Sequence, residues 1–227
     1  MKKNNYSYIW VSLVILVFGV IFIPRIIDRV KTGTVVDADR HAVGKQPTSE
    51  KLEIVGKVPN FEFLNQNNLT ISNRDYSGKV YLVEFFFTTC PTICPIMNRN
   101  MVLLQNEFKA EKNFAIASFT INPEHDTPQV LKAYSEKYKV TNPNWHMLTG
   151  DKQKIYDLAN KGFNLYTGEN ANVNGGFEHS GMFALIDKEG NIRSRKDPFG
   201  NPIIYYDGIE YEGIAMLKED IKNLLNE

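Results

Sequence analysis

The segment Val80-Tyr-Leu-Val-Glu-Phe-Phe-Phe-Thr-Thr-Cys90-Pro-Thr-Ile-Cys94-Pro-Ile-Met97 joins an apolar run to both cysteines of the chain. Residues 80–87 are too apolar for a half-exposed strand, and they predict a central strand that is buried on both faces. Pro95 suits the first turn of a helix, because the backbone N–H that proline lacks has no partner there. The segment therefore predicts a buried strand, a turn that carries Cys90, and a helix that begins near Cys94.

Strand and helix patterns alternate along the chain on both sides of this segment. Met97, Met101, Leu104 and Phe108 recur at helical spacing, so the helix after the cysteines is predicted to be amphipathic. The other predicted strands lie at residues 60–64, 68–71, 113–121, 145–149 and 181–187, and the other helices follow Asp126 and Asp151 or occupy residues 213–225. This alternation predicts an α/β domain with helices on both faces of the sheet.

Composition excludes several classes of protein. The chain has 227 residues, of which 43% are hydrophobic and 23% charged, as in ordinary globular proteins. Its 26 basic and 26 acidic side chains cancel, so the basic excess that binds nucleic acid is missing. With two cysteines, a small fold held together by several disulfides is excluded as well.

The N-terminal region predicts a membrane anchor. No charged residue occurs from Asn4 to Pro24, and as a helix this run of about 21 residues would span roughly 30 Å, the thickness of a bilayer core. The alternative is a cleaved signal peptide, but the sequence around Pro24 offers no small-residue cleavage site. We therefore expect a single-pass membrane protein whose domain faces the extracytoplasmic (periplasmic) side, because an apolar segment so near the start usually exports the rest of the chain.

Three regions are predicted from this pattern. Residues 1–30 form a cytoplasmic tip and the transmembrane anchor, and residues 31–54 form a polar linker. Residues 55–227 form the folded domain.

Cys90 and Cys94 are the first candidates for chemistry. The positive end of a helix dipole favours the thiolate, which is the form that binds metals and attacks disulfides. A structural disulfide or two inert cysteines are the alternative, although a proline directly after each thiol favours a presented loop. Thiol–disulfide oxidoreductases normally have two residues between their cysteines, whereas three give a looser ring that suits an ion. Two thiolates are soft ligands, which select copper(I), zinc or iron–sulfur clusters.

Two sulfurs make an open site, so a histidine is expected as the third ligand. His41 lies in the linker, and His146 lies in a short strand where a structural role is expected. His125 precedes a helix and could line the same edge of the sheet. His179 lies in a loop that enters a strand expected beside residues 80–87, so this loop should face the cysteine pair. Residues 175–186 contain no proline, and the loop offers a histidine to the cysteines instead. We therefore predict His179 as the ligand.

Together these motifs resemble the Sco/SenC family of copper chaperones. The family usually has Asp and Arg where this chain has Asn122 and His125, and neither departure removes a ligand. The resemblance covers roughly residues 55–225 and rests on Thr89-Cys90-Pro-Thr-Ile-Cys94-Pro95, Asn122-Pro-Glu-His-Asp-Thr-Pro128, Leu148-Thr-Gly150, His179 before Phe183-Ala-Leu-Ile-Asp187, and Tyr205-Tyr-Asp-Gly208.

The resemblance implies a thioredoxin-like domain, in which a central mixed sheet is flanked by helices, anchored by one N-terminal helix. It also implies that Cys90, Cys94 and His179 bind copper, as copper(I) or copper(II), for assembly of the dinuclear copper centre of cytochrome c oxidase. The implied partner is the copper-bearing subunit of the oxidase or another copper chaperone.

A metallochaperone is thus expected rather than an enzyme, and oxidation of Cys90 and Cys94 to a disulfide would empty its site. The alternative is a membrane-tethered thiol–disulfide reductase that keeps the cysteines of a copper acceptor reduced. A peroxide-reducing thiol enzyme fits the cysteine spacing poorly. His179 separates the first two hypotheses, because a reductase has no use for a histidine ligand.

Overall fold

The computed structural model describes residues 7–31, 51–173 and 175–227. The chain divides into two compact units, Met1–Gln46 and Pro47–Glu227, which we describe separately. His41 and most of the predicted linker lie outside the described residues.

The described residues of the first unit form a helix, α1, over Ser7–Lys31, with Pro24 inside it. The large apolar side chains that the structure describes between residues 11 and 23 are exposed. Judged on the described residues alone, no helix combines the length and the apolarity that crossing a membrane requires.

The second unit is an α/β domain. Its helices are α2 (Cys94–Glu107), α3 (Pro128–Lys137), α4 (Lys152–Asp157) and α5 (Tyr211–Asn226). Its strands are β1 (Glu53–Lys57), β2 (Glu62–Asn65), β3 (Thr70–Ser72), β4 (Val80–Phe86), β5 (Phe114–Thr120), β6 (Trp145–Thr149), β7 (Thr167–Glu169), β8 (Phe177–His179), β9 (Met182–Ile186), β10 (Asn191–Ser194) and β11 (Tyr206–Asp207).

The sheet is mixed, and β4 lies near its centre. The strand order is β1-β10-β9-β4-β5-β6-β2-β3, with β11 paired to β9, and β7 and β8 form a separate two-stranded sheet. Strands β4, β5 and β6 run parallel, whereas β9 runs antiparallel to β4. Every residue of β4 and β5 is buried. The prediction of a central buried strand at residues 80–87 is therefore confirmed.

Most of the other predicted elements are also confirmed, including the strands at residues 60–64 and 68–71, which pair as β2 and β3, and the helix that Asp151 caps. The first strand lies across the predicted boundary at residue 55. Strand β1 begins at Glu53, which pairs with Ser194 of β10, and Leu52 is buried. The sequence pattern places Glu53 and Ile54 in the linker because β1, a five-residue strand at the edge of the sheet, shows no clear alternation of apolar and polar side chains.

The topology brings three chain segments to one edge of the sheet. Parallel strands β4 and β5 end at the same edge, so the loops that lead into α2 and α3 are neighbours there. Strand β9 begins at that edge because it is antiparallel to β4, with Ala184 opposite Val83. Residues just before β9 therefore meet the loop that carries the cysteines.

Candidate metal centre

Cys90 and Cys94 lie where β4 leads into α2, as predicted. Cys94 is the first residue of α2 and Pro95 the second, so the proline occupies the first helical turn. Both cysteines are free thiols. Cys90 keeps 8% of its surface exposed, whereas Cys94 is fully buried. Only Cys90 can therefore be reached directly by a partner.

His179 lies at the end of β8, from which Ser180 and Gly181 lead into β9. Its Nε2 is 3.1 Å from Sγ of Cys94, although the two residues are 85 positions apart in the sequence. Ligand atoms of Cys90, Cys94 and His179 all lie within 4.8 Å of one another. The fold thus brings together the three side chains that the sequence predicted as a group.

The imidazole of His179 is oriented for binding through Nε2. Its Nδ1 is 3.1 Å from the carbonyl oxygen of Ser180, so a proton on Nδ1 is donated to that carbonyl. Nε2 then presents its lone pair to the sulfurs, which is the arrangement that metal-ligating histidines adopt. The ring of Phe87 meets the imidazole edge to face, with the ring centres 5.7 Å apart, and limits its rotation.

The other described histidines lie outside this group. His146 is partly buried in β6, with Nδ1 3.2 Å from Nδ2 of Asn65, so it has the structural role expected of it. Burial lowers the pKa of His146, which keeps the ring neutral. Half of the His125 side chain is exposed, and its Nδ1 lies 2.8 Å from Oδ1 of Asp126. The structure therefore places neither ring with the thiols.

The two thiols differ in acidity. The hydrogen bond from Cys94 lowers the pKa of Cys90, and hydrogen bonds from the backbone of Cys94 and Thr92 act in the same direction. Burial raises the pKa of Cys94, and the neighbouring Cys90 raises it further. The reduced pair therefore holds a thiolate on Cys90 and a proton on Cys94.

Asp126 fixes the loop before the cysteines, a role that the sequence did not reveal. This carboxylate is fully buried and accepts hydrogen bonds from the backbone N–H of Thr88, at 3.0 Å, and from the Thr88 hydroxyl. The hydroxyl of Thr120 at the end of β5 donates to it as well. The sequence pattern predicts that Asp126 starts α3, but Thr127 caps that helix instead. A buried aspartate two residues before a proline gives no signal that distinguishes the two roles.

A cleft of ≈ 340 Å³ opens beside the three side chains. Its lining is mostly apolar or neutral, and it includes Cys90 and His179 but not Cys94. The lining residues are Phe87, Cys90, Thr92, Ile93, Val173, Phe177, Glu178 and His179. A metal ion held by the two sulfurs and Nε2 could therefore be approached by a second protein from this side.

A thioredoxin-like domain with two free thiols and an imidazole at one edge of its sheet defines a dithiol protein that can bind a soft metal ion or exchange disulfides. The model of the SCO1/SenC family matches residues 49–211, which is well over half of the chain. The chain belongs to the SCO1/SenC family.

Individual relatives agree with this assignment. The chain is 32% identical to the SCO1 protein homolog of Bacillus subtilis over 188 residues, which are 80% of this chain and 89% of the relative. BsSco, a member of the Sco family of cytochrome c oxidase assembly proteins described as having a disulfide switch, is 29% identical, with a TM-score of 0.65 over 78% of this chain and 98% of its own. Bradyrhizobium japonicum ScoI, solved with copper bound, has a TM-score of 0.56 over 74% of this chain and 99% of its own. At 22% identity it shows similarity of fold alone.

Proposed function

We propose that this protein is a membrane-anchored copper metallochaperone for assembly of the dinuclear copper centre of cytochrome c oxidase. Cys90, Cys94 and His179 are its copper ligands. The observation that carries the proposal is the grouping of their ligand atoms within 4.8 Å, with His179 Nε2 3.1 Å from the Cys94 sulfur. Membership of the SCO1/SenC family supports copper over the other soft ions that such ligands accept.

The ligand set suits both oxidation states of copper. Two thiolates satisfy copper(I), which is soft and accepts low coordination numbers, whereas copper(II) gains from the imidazole nitrogen of His179. Three protein ligands leave a position open on the side of the cleft. An acceptor can bind copper through that position before the chaperone releases it.

The proposed anchor is the apolar run from Asn4 to Pro24, which extends beyond the side chains that the structure describes. Its support is the absence of charge in this run and the helical backbone of Ser7–Lys31. Residues 1–30 then form the cytoplasmic tip and anchor, and residues 31–54 the linker, of which the last residues join the sheet. The copper-binding domain after the linker faces the extracytoplasmic side, where the copper-bearing subunit of the oxidase or another copper chaperone is its partner.

A thiol–disulfide reductase is the second candidate, and one observation favours it. Cys90, which keeps a small exposed surface, has a lowered pKa, whereas the fully buried Cys94 keeps its proton. This asymmetry suits an attacking thiol followed by a resolving thiol. The disulfide switch described for BsSco supports the same chemistry. In this role the protein would reduce the cysteines of a copper acceptor.

Anaerobic copper titration separates the two candidates. The reduced full chain in detergent is titrated with copper(I) and with copper(II), beside His179→Ala and a control, His41→Ala, which removes an imidazole of the predicted linker. Under the chaperone hypothesis, His179→Ala should weaken copper(II) binding by about 100-fold or more, which is the size of effect seen when a metal site loses a ligand or a residue that orients one. Copper(I) binding should weaken far less, because the two thiolates remain. Equal copper(II) affinity in His179→Ala and wild type would contradict the proposed ligand set and favour the reductase.

A further inference from the structure

Glu84 is a carboxyl group in the middle of β4, a strand whose residues are all buried. It lies in β4 opposite Ser118 of β5 and has no exposed surface. The Ser118 hydroxyl donates to Glu84 Oε1 at 2.6 Å, and Trp145 Nε1 donates to the Ser118 oxygen at 3.0 Å. Ser118 thus accepts a hydrogen bond from Trp145 and donates its single proton to Glu84. The strand pairing would be satisfied equally well by an apolar residue at this position.

The second carboxyl oxygen, Glu84 Oε2, has no hydrogen-bond partner. Among the described residues, the other buried side-chain acceptor without a donor is Oδ1 of Asn98. An unpaired buried charge is strongly disfavoured, and a proton on Oε2 removes it. Burial raises the pKa of Glu84 to about 7, although the hydrogen bond from Ser118 and the imidazole of His179 oppose this rise. The group can therefore change its charge near neutral pH.

Glu84 lies close enough to two of the three predicted ligands, Cys94 and His179, to interact with them electrostatically. The titratable groups that face it are Cys94 from α2, Tyr134 from α3 and His179 from β8. Asn98 links the first two, since its Nδ2 donates to the carbonyl of Cys94 at 2.9 Å and to the hydroxyl of Tyr134 at 3.0 Å. Burial, above all, raises the pKa of Tyr134, so that hydroxyl stays neutral. With copper bound to Cys94 and His179, Glu84 is the facing group that remains free to titrate near neutrality.

The charge of the occupied site depends on the oxidation state of copper. Two thiolates and a neutral imidazole give a net charge of zero with copper(II) and of −1 with copper(I). An ionised Glu84 would add a second buried negative charge to the copper(I) state, which a low dielectric disfavours.

We propose that Glu84 takes up a proton when the bound copper is reduced and releases it when the copper is oxidised, so that the buried site keeps one net negative charge. This inference rests on the copper site of the proposed function. Copper(II) gains one electron from a one-electron donor, and the Glu84 carboxylate gains one proton from solvent to become a carboxylic acid. No bond between copper and its ligands need break. Ionised Glu84 thus favours copper(II), and protonated Glu84 favours copper(I).

The test is the pH dependence of the reduction potential of the bound copper. The copper-loaded full chain in detergent is titrated with redox mediators at a series of pH values, as wild type and as Glu84→Gln. In the wild type the potential should fall by about 59 mV per pH unit, the value for one proton per electron, in a window at and just below neutral pH. The potential should become independent of pH above and below this window, where Glu84 has the same charge with copper(I) as with copper(II). In Glu84→Gln the potential should be independent of pH and lie at the high end of the wild-type range.

Two further measurements keep the inference falsifiable if Glu84→Gln does not fold. Ser118→Ala removes the hydrogen bond that lowers the pKa of Glu84, so the sloping window should move to higher pH. Infrared difference spectra should show the carbonyl stretch of a protonated carboxyl group appearing when copper(II) is reduced. A wild-type potential that does not vary with pH, a slope retained in Glu84→Gln, or an unmoved window in Ser118→Ala would each overturn the inference. Failure of the wild type to bind copper would instead overturn the proposed function.

Discussion

Replacing Asp126 by asparagine should destabilise the domain through the loop that leads to the cysteines. Each carboxylate oxygen of Asp126 accepts two hydrogen bonds, from the Thr88 hydroxyl and His125 Nδ1 at one oxygen, and from the Thr88 N–H and the Thr120 hydroxyl at the other. An amide keeps one of these oxygens, so two donors lose their acceptor whichever way the new amide is turned. An unsatisfied buried donor costs about 1–3 kcal/mol, and a hydroxyl can partly escape by rotating, so we expect a loss of about 2–4 kcal/mol.

Urea unfolding of the full chain in detergent measures this loss. With a denaturant slope of about 2 kcal/mol per M, the midpoint should fall by about 1–2 M. Asp157→Asn makes the same chemical change at an exposed carboxylate, which pairs with Lys161, and should leave the midpoint unchanged. Copper(II) affinity should also fall in Asp126→Asn, because Thr88 no longer fixes the turn before Cys90. Equal midpoints for Asp126→Asn and wild type would refute the role assigned to Asp126.

Two further predictions concern the thiols and the N-terminus. At about pH 5 iodoacetamide should modify Cys90 and spare Cys94, because the lowered pKa of Cys90 keeps its thiolate at a pH where an ordinary thiol is protonated. Cys94→Ala removes the main cause of that lowering and should slow the modification of Cys90 at least 10-fold, and equal rates would contradict the assigned hydrogen bond. A reporter fused after residue 31 should be active only outside the cytoplasm, with the N-terminus uncleaved. Reporter activity in the cytoplasm, or a mature chain that starts after residue 24, would contradict the anchor.

Sequence patterns predicted the part of the fold that depends on local chemistry. Residues 80–87 are apolar throughout most of their length because β4 is covered on both faces, and Pro95 marks the first turn of α2. The place of His179 followed from a single expectation about topology, that the strand after it pairs with β4. The β7–β8 hairpin that carries this histidine was not predicted, since strands of three residues are too short to show a period.

Buried polar residues were the part that sequence patterns could not predict. Glu84 interrupts an apolar run, and a strand pattern does not tell whether such a residue points to solvent or into the core. Asp126 precedes a helix, where an exposed capping residue is the usual case. Both side chains are fully buried because partners distant in sequence, Ser118 and Thr88, supply their hydrogen bonds. Such pairings exist only in the folded chain.

The site is built on two supports that are hydrogen-bonded separately, and this separation explains why its ligands are expected to differ in function. The cysteines lie between β4 and α2, where Asp126 fixes the preceding turn and Asn98 binds the carbonyl of Cys94. His179 belongs to the hairpin of β7 and β8, which is bonded separately from the main sheet. Displacement of this hairpin would remove the imidazole and leave the two sulfurs in place. A dithiolate that remains intact retains copper(I), so loss of His179 should affect copper(II) far more than copper(I).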